Sequence, residues 1–107
     1  MPASVAVSTT DAPAAVGPYS QAVSVGSAGS ASTGGTVYVS GQVPLDPATG
    51  ALVDGGIQAQ AERVLTSIGA ILEAAGLGYA DVVKTTVLLA DIADFKAVNE
   101  VYARFFT

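Results

Sequence analysis

In "VYVSGQVPLDPATG" a run of β-branched and aromatic residues is interrupted by Ser40 and Gly41, where a large apolar side chain would serve a strand better. The pair brings a hydroxyl and a glycine backbone that a ligand can approach closely. A glycine in a strand equally marks a bulge, with a serine beside it as filler. "VSGQ" is not a nucleophile elbow, which needs G-x-S-x-G at a strand-to-helix turn and a histidine partner. The chain holds no histidine and no cysteine, which removes the usual general base, thiolate nucleophiles, disulfides and cysteine or histidine metal sites. Any chemistry must come from hydroxyls, amides, carboxylates or a bound water. Tyr19 in "GPYSQ" and Asn99 in "AVNEVY" are further hydrogen-bonding groups, each with a structural alternative: an aromatic packed on a strand, and an amide bonded to a loop. Glu62, Glu73 and Glu100 read as solvated helix residues, with nothing to pair any two as acid and base.

The remaining composition narrows the partners. Nine acids face four scattered bases, a formal charge of −5, which is not the footprint of a nucleic-acid binder and gives no attraction to anionic lipid. No run is long and apolar enough to cross a bilayer, and "MPASVAVSTTDAPAAVGP" lacks the pattern of a secretory signal, so the cytoplasm is the expected compartment. Half of the 107 residues are hydrophobic and only 12% charged, a balance that a small monomer covers poorly and an oligomer covers well. The length suits one domain, residues 1–107.

These groups must be positioned by an α+β arrangement. "YSQAVSV" (19–25) alternates as a strand, with Tyr19, Gln21, Val23 and Val25 on one side and Ser20, Ala22 and Ser24 on the other. Residues 26–35 are Gly, Ser, Ala and Thr, a flexible hairpin connection; no lysine or helix follows that would make them a phosphate loop. The next strand puts Val37, Val39 and Val43 on one face and Thr36, Tyr38, Ser40 and Gln42 on the other, and "DPATG" turns it. From Ile57 the apolar spacing becomes helical through Ala75, with Arg63 on the polar side and Gly76 at the C-terminal cap. "DVVKTTVLLAD" (81–91) reads as a central strand. "DIADFKAVNEVYARFF" reads as a second helix capped by Asp91, with Phe95, Val98, Tyr102 and Phe105 as its buried stripe. With a short edge strand in residues 3–8, the order is β-β-β-α-β-α. Two helices cover one sheet face, and the other face, carrying small and polar residues, is left for a subunit interface.

"APAAVGPYSQAV", "VSGQVPLDPATG" and "EAAGLGYADVVKTTVLLADIADFKAVNEVYARFF" together resemble the reactive-intermediate imine deaminases, the YjgF-like or L-PSP family. The likeness runs in order over nearly the whole chain. It implies a YjgF-like (chorismate-mutase-like) fold, a homotrimer with ligand clefts between subunits, and no metal or organic cofactor. The implied reaction is hydrolysis of 2-imino and 2-enamino acids, such as 2-aminoacrylate, to 2-keto acids and ammonia. Carried over by position, Tyr19 lines the cleft, Ser40 and Gly41 offer hydroxyl and backbone groups, and Asn99 joins from the second helix, all in substrate-binding roles.

The resemblance also implies groups that this sequence does not contain. Family members continue past the position of Thr107 with a segment of the type "FPAR" and two more strands, supplying an arginine for the substrate carboxylate and a glutamate that orients water. Neither Arg63 nor Arg104 matches that motif, so the expectation is a 107-residue chain with weak deaminase activity, the lost contact being worth about 1.5 to 3 kcal/mol. The alternatives are a non-catalytic module of the same fold that binds small carboxylates or proteins, and an endoribonuclease, which the acidity and lack of histidine disfavour.

Overall fold

The computed structural model describes residues 4–15, 17–26 and 35–106. Most of the Gly/Ser connection expected at 26–35 lies outside the described residues. Three consecutive strands, β1 (Ser4–Val7), β2 (Ala22–Val25) and β3 (Thr36–Val39), form an antiparallel sheet in the order β1-β2-β3. The register sets Val7 opposite Ala22 and Ala22 opposite Val39. Opposite residues share a face, so Val7, Ala22, Val37 and Val39 lie together, and on them rests α1 (Ile57–Ala74) through Ala70 and the fully buried Ile71.

This assignment corrects one expectation about β2. The small residues Ala22 and Ser24 are the buried ones, turned toward the helix, while Val23 and Val25 share the open face with Ala6 and Tyr38. In the core Ala22 is buried in one cluster with Ile71 and Ala12, and a close-packed interior of that kind takes a methyl at this position. The open face therefore mixes Ser4 and Thr36 with Ala6, Val23, Val25 and Tyr38: the β3 residues Thr36 and Tyr38 lie on it as expected, Tyr38 67% exposed, and only the β2 set is exchanged.

The ends of α1 follow the sequence signals. Gly76 has φ +79°, its N–H reaches the Glu73 carbonyl at 2.9 Å, and Leu77 N–H reaches the Leu72 carbonyl at 2.8 Å, a Schellman closure. Arg63 departs from expectation. It stands four residues before the fully buried Ser67 on the same side of α1, is partly buried, and its Nε is buried without a partner among the described residues. Asp91 caps as expected, its Oδ1 accepting from Ala93 N–H at 2.9 Å, although the first turn it caps is 3-10 (Ile92–Asp94) before α2 (Phe95–Phe105) begins. α2 extends the helical layer by packing on α1, and its buried residues are Val98 and Val101. Phe95, expected in the stripe, is 59% exposed because it faces residues 82–89 across a groove instead of α1.

Residues 82–89 correct the fourth strand. They belong to no ladder among the described residues, and Val83 and Leu88 are 96% and 90% exposed. Composition suited them to a strand, but a strand exists only through a paired neighbour, and neither β1 nor β3 lies alongside. The segment is tied down by side chains instead, Thr85 Oγ1 meeting Tyr102 Oη at 2.7 Å.

Before it, Tyr79 packs back onto the middle of α1. Its hydroxyl donates to the Leu65 carbonyl at 2.6 Å, and its ring meets Phe105 and Phe106 edge-on at 5.5 Å. Burial pushes the phenol pKa up, offset in part by a hydrogen bond with the Gly69 backbone. The ring reaches the helix only because position 69 has no side chain: a Cβ there would collide with the Tyr79 hydroxyl. Gly69→Ala is thus expected to destabilise the fold by about 1 to 3 kcal/mol despite its better helix propensity. A Cβ at 69 would also stand 2.7 Å from the ring carbon Cζ, so the double change Gly69→Ala with Tyr79→Phe should recover little of the loss in a thermal melt.

Candidate functional site

The segment leading into β2 is organised by one buried amide. Gln21 is 4% exposed, and its side chain accepts from Thr9 N–H at 2.7 Å through Oε1. Its Nε2 donates to the carbonyls of Pro13, Ala12 and Thr9 at 2.7, 3.2 and 3.1 Å. Two N–H bonds shared among three carbonyls leave no donor unused. Ala12, held by this clamp, is itself buried in the core beside Ala22 and Ile71. Sequence alternation placed Gln21 as one more strand side chain beside Val23 and Val25, and its residue type gave no sign that this amide is buried.

The same residue fixes the break in β3. Ser40 N–H donates to the Gln21 carbonyl at 2.9 Å, the last backbone bond between the two strands, and Ser40 Oγ donates to the Ser20 carbonyl at 2.6 Å. A side chain thus closes the ladder, and the strand ends at Val39 instead of running on to Val43. Gly41 follows with open space where a Cβ would stand, so the backbone there can be approached from that side. The Gln42 side chain folds back onto the Ser40 carbonyl at 3.2 Å, and the chain then makes the expected turn, with Ala48 N–H on Asp46 Oδ1 at 2.8 Å and Gly50 at φ +73°.

Tyr19 sits in the preceding turn, its N–H on the Gly17 carbonyl at 2.8 Å, and its side chain is 51% exposed. Tyr19, Ser40 and Gly41 therefore occupy one neighbourhood: two adjoining chain segments joined through Ser20 and Gln21. Asn99 does not join them within the chain. It lies on α2, exposed, in a shallow groove with Thr85, Val87, Phe95, Val98 and Tyr102. No hydrogen bond among the described residues links that groove to Ser40. Nor do the described residues contain a group of acidic side chains placed to hold a metal ion. Among the described residues no helix is long and apolar enough to cross a membrane.

The family model "Endoribonuclease L-PSP" matches residues 9–107. The chain belongs to that family. It is 55% identical over 100 residues to the 2-iminobutanoate/2-iminopropanoate deaminase of Capra hircus, covering 94% of this chain and 67% of the relative. RidA from Psychrobacter sp. PAMC 21119 superposes with a TM-score of 0.84 at 48% identity, over 96% of this chain and 76% of that one. The structure of E. coli TdcF with bound serine gives a TM-score of 0.81 at 40% identity, over 95% and 73%. The L-PSP fold is thus the α+β architecture expected, with its antiparallel sheet and two helices in place and the segment 82–89 unpaired among the described residues.

The Gln21 clamp makes a prediction that separates charge from packing. Gln21→Met loses the hydrogen bonds and should destabilise by about 2 to 4 kcal/mol, whereas Gln21→Glu also points a carboxylate at three carbonyls. Burial raises the pKa of that new carboxyl in the folded state, so its stability is retained below the unfolded value and lost as pH rises. The gap between the two variants should widen by up to about 1.4 kcal/mol per unit from pH 5 to pH 7 in denaturant titrations.

Proposed function

We propose that the chain is a deaminase that hydrolyses reactive 2-imino and 2-enamino acids to 2-keto acids and ammonia. The observation that carries this reading is the 55% identity, over 94% of the chain, to a 2-iminobutanoate/2-iminopropanoate deaminase. The site chemistry agrees with it. Water adds to C2 of the imine, the nitrogen leaves as ammonia, and C2 becomes a carbonyl. This sequence of steps needs a held substrate and an oriented water rather than a covalent nucleophile. In this reading the Tyr19 phenol, the Ser40 hydroxyl, the Gly41 backbone and the Asn99 amide bind the substrate.

Since Asn99 and Ser40 lie in separate places on one chain, the reading includes a homotrimer whose clefts combine residues of neighbouring subunits. The exposed apolar groups Ala6, Val25 and Tyr38 on the open face support it, because such groups are stabilised by burial against a second copy.

The test is ammonia release from 2-aminoacrylate generated in the assay, with and without the protein. Acceleration is expected, and its absence at high enzyme concentration would sink the deaminase reading. Tyr19→Phe, which removes one exposed hydroxyl, should lower kcat/KM by about 2- to 10-fold while leaving the melting temperature within about 2 °C. Sedimentation at equilibrium should return three times the chain mass of 10.5 kDa.

A further inference from the structure

Ser40 carries a constraint that its residue type alone does not reveal. In the 2.6 Å contact between Ser40 Oγ and the Ser20 carbonyl, only the hydroxyl has a proton to give. With that proton committed, the Ser40 oxygen has only lone pairs left for any other partner. The Ser20 carbonyl is not free to turn away. It lies between Tyr19, whose N–H is held by Gly17, and Gln21, whose carbonyl takes the Ser40 N–H and whose amide is bound to residues 9, 12 and 13. The clamp therefore fixes the direction of the hydroxyl as well as its position. Next to it, the Gly41 backbone, open where a Cβ would stand, is the group that a ligand's oxygen can approach.

We propose that Ser40 is an obligate hydrogen-bond acceptor that binds the N–H of the substrate's imine or iminium group and so discriminates between substrate and product. The proposal rests on the deaminase reading above and specifies what Ser40 recognises within it. In the substrate, C2 carries a nitrogen with hydrogen to donate. Hydrolysis replaces that nitrogen with a carbonyl oxygen, C2 gaining oxygen from water as ammonia departs, and the oxygen has lone pairs only. An acceptor facing a carbonyl oxygen gains nothing and repels it. The same contact that holds the imine thus favours release of the 2-keto acid. This is specificity through an unmatched polar group rather than through pocket size.

Two ligands with one carbon skeleton test it: L-alanine, which has N–H groups on C2, and pyruvate, which has a carbonyl oxygen there. Binding of each to the unmodified chain and to Ser40→Ala is measured by titration calorimetry or NMR. The expected result is that Ser40→Ala weakens L-alanine about tenfold or more and leaves pyruvate within about twofold, or slightly tighter. Ser40→Thr, which keeps a hydroxyl able to reach the Ser20 carbonyl, should restore L-alanine binding to within about threefold, so that a loss through misfolding is told apart from loss of the acceptor. Equal weakening of both ligands in Ser40→Ala, or no recovery in Ser40→Thr with its fold intact by circular dichroism, would overturn the proposal. The deaminase reading would survive that result if the unmodified chain still accelerates ammonia release. A chain that binds neither ligand and releases no ammonia would overturn both.

Discussion

A single buried amide sets the geometry of everything around the candidate site. Gln21 enters β2 with its side chain turned inward onto three carbonyls and one N–H of residues 9–13, and with its own carbonyl on Ser40. An unpaired amide in that position would cost several times what a surface hydrogen bond contributes, so the loop has little freedom to move once the core has formed. Tyr19, Ser20 and Ser40 inherit their positions from this arrangement. The site's residues come from irregular backbone beside a short sheet, and the amide gives that backbone the rigidity that a longer strand would otherwise supply.

Local signals in the sequence were strongest where one residue's conformation decides the outcome. The Gly76 cap, the Asp91 cap and the "DPATG" turn all appear where composition puts them, because each depends on a few adjacent atoms. The two helices and the existence of β2 and β3 were legible from periodicity, although both strands are shorter than the alternation suggested. Ser40 and Gly41 stood out for the right reason, a strand that stops early, although the hydrogen bond that stops it runs to a residue twenty positions away.

What the sequence did not disclose depends on neighbours. Alternation in β2 separates two sets of side chains but does not say which set meets a helix, and in the fold Ala22 and Ser24 are the buried set. The composition of 82–89 is that of a strand, yet pairing is a property of two segments, and one of them cannot be read from the other. Arg63 looked solvent-facing by charge alone, while its stem follows the same side of α1 as Ser67 and buries Nε. Within the site, composition pointed to Ser40 as a hydroxyl; only the placement of the Ser20 carbonyl gives that hydroxyl a direction.

The contact between Tyr79 and α1 bears on how the fold can change over evolutionary time. Tyrosine at 79 is compatible with the helix only while position 69 lacks a side chain, and a side chain at 69 is compatible only with a residue at 79 that does not cross the helix. Neither substitution is neutral first, so the two positions are expected to covary: lineages with a bulky residue at the position of Gly69 should lack the tyrosine. Ten residues apart in sequence, the pair forms one heritable unit.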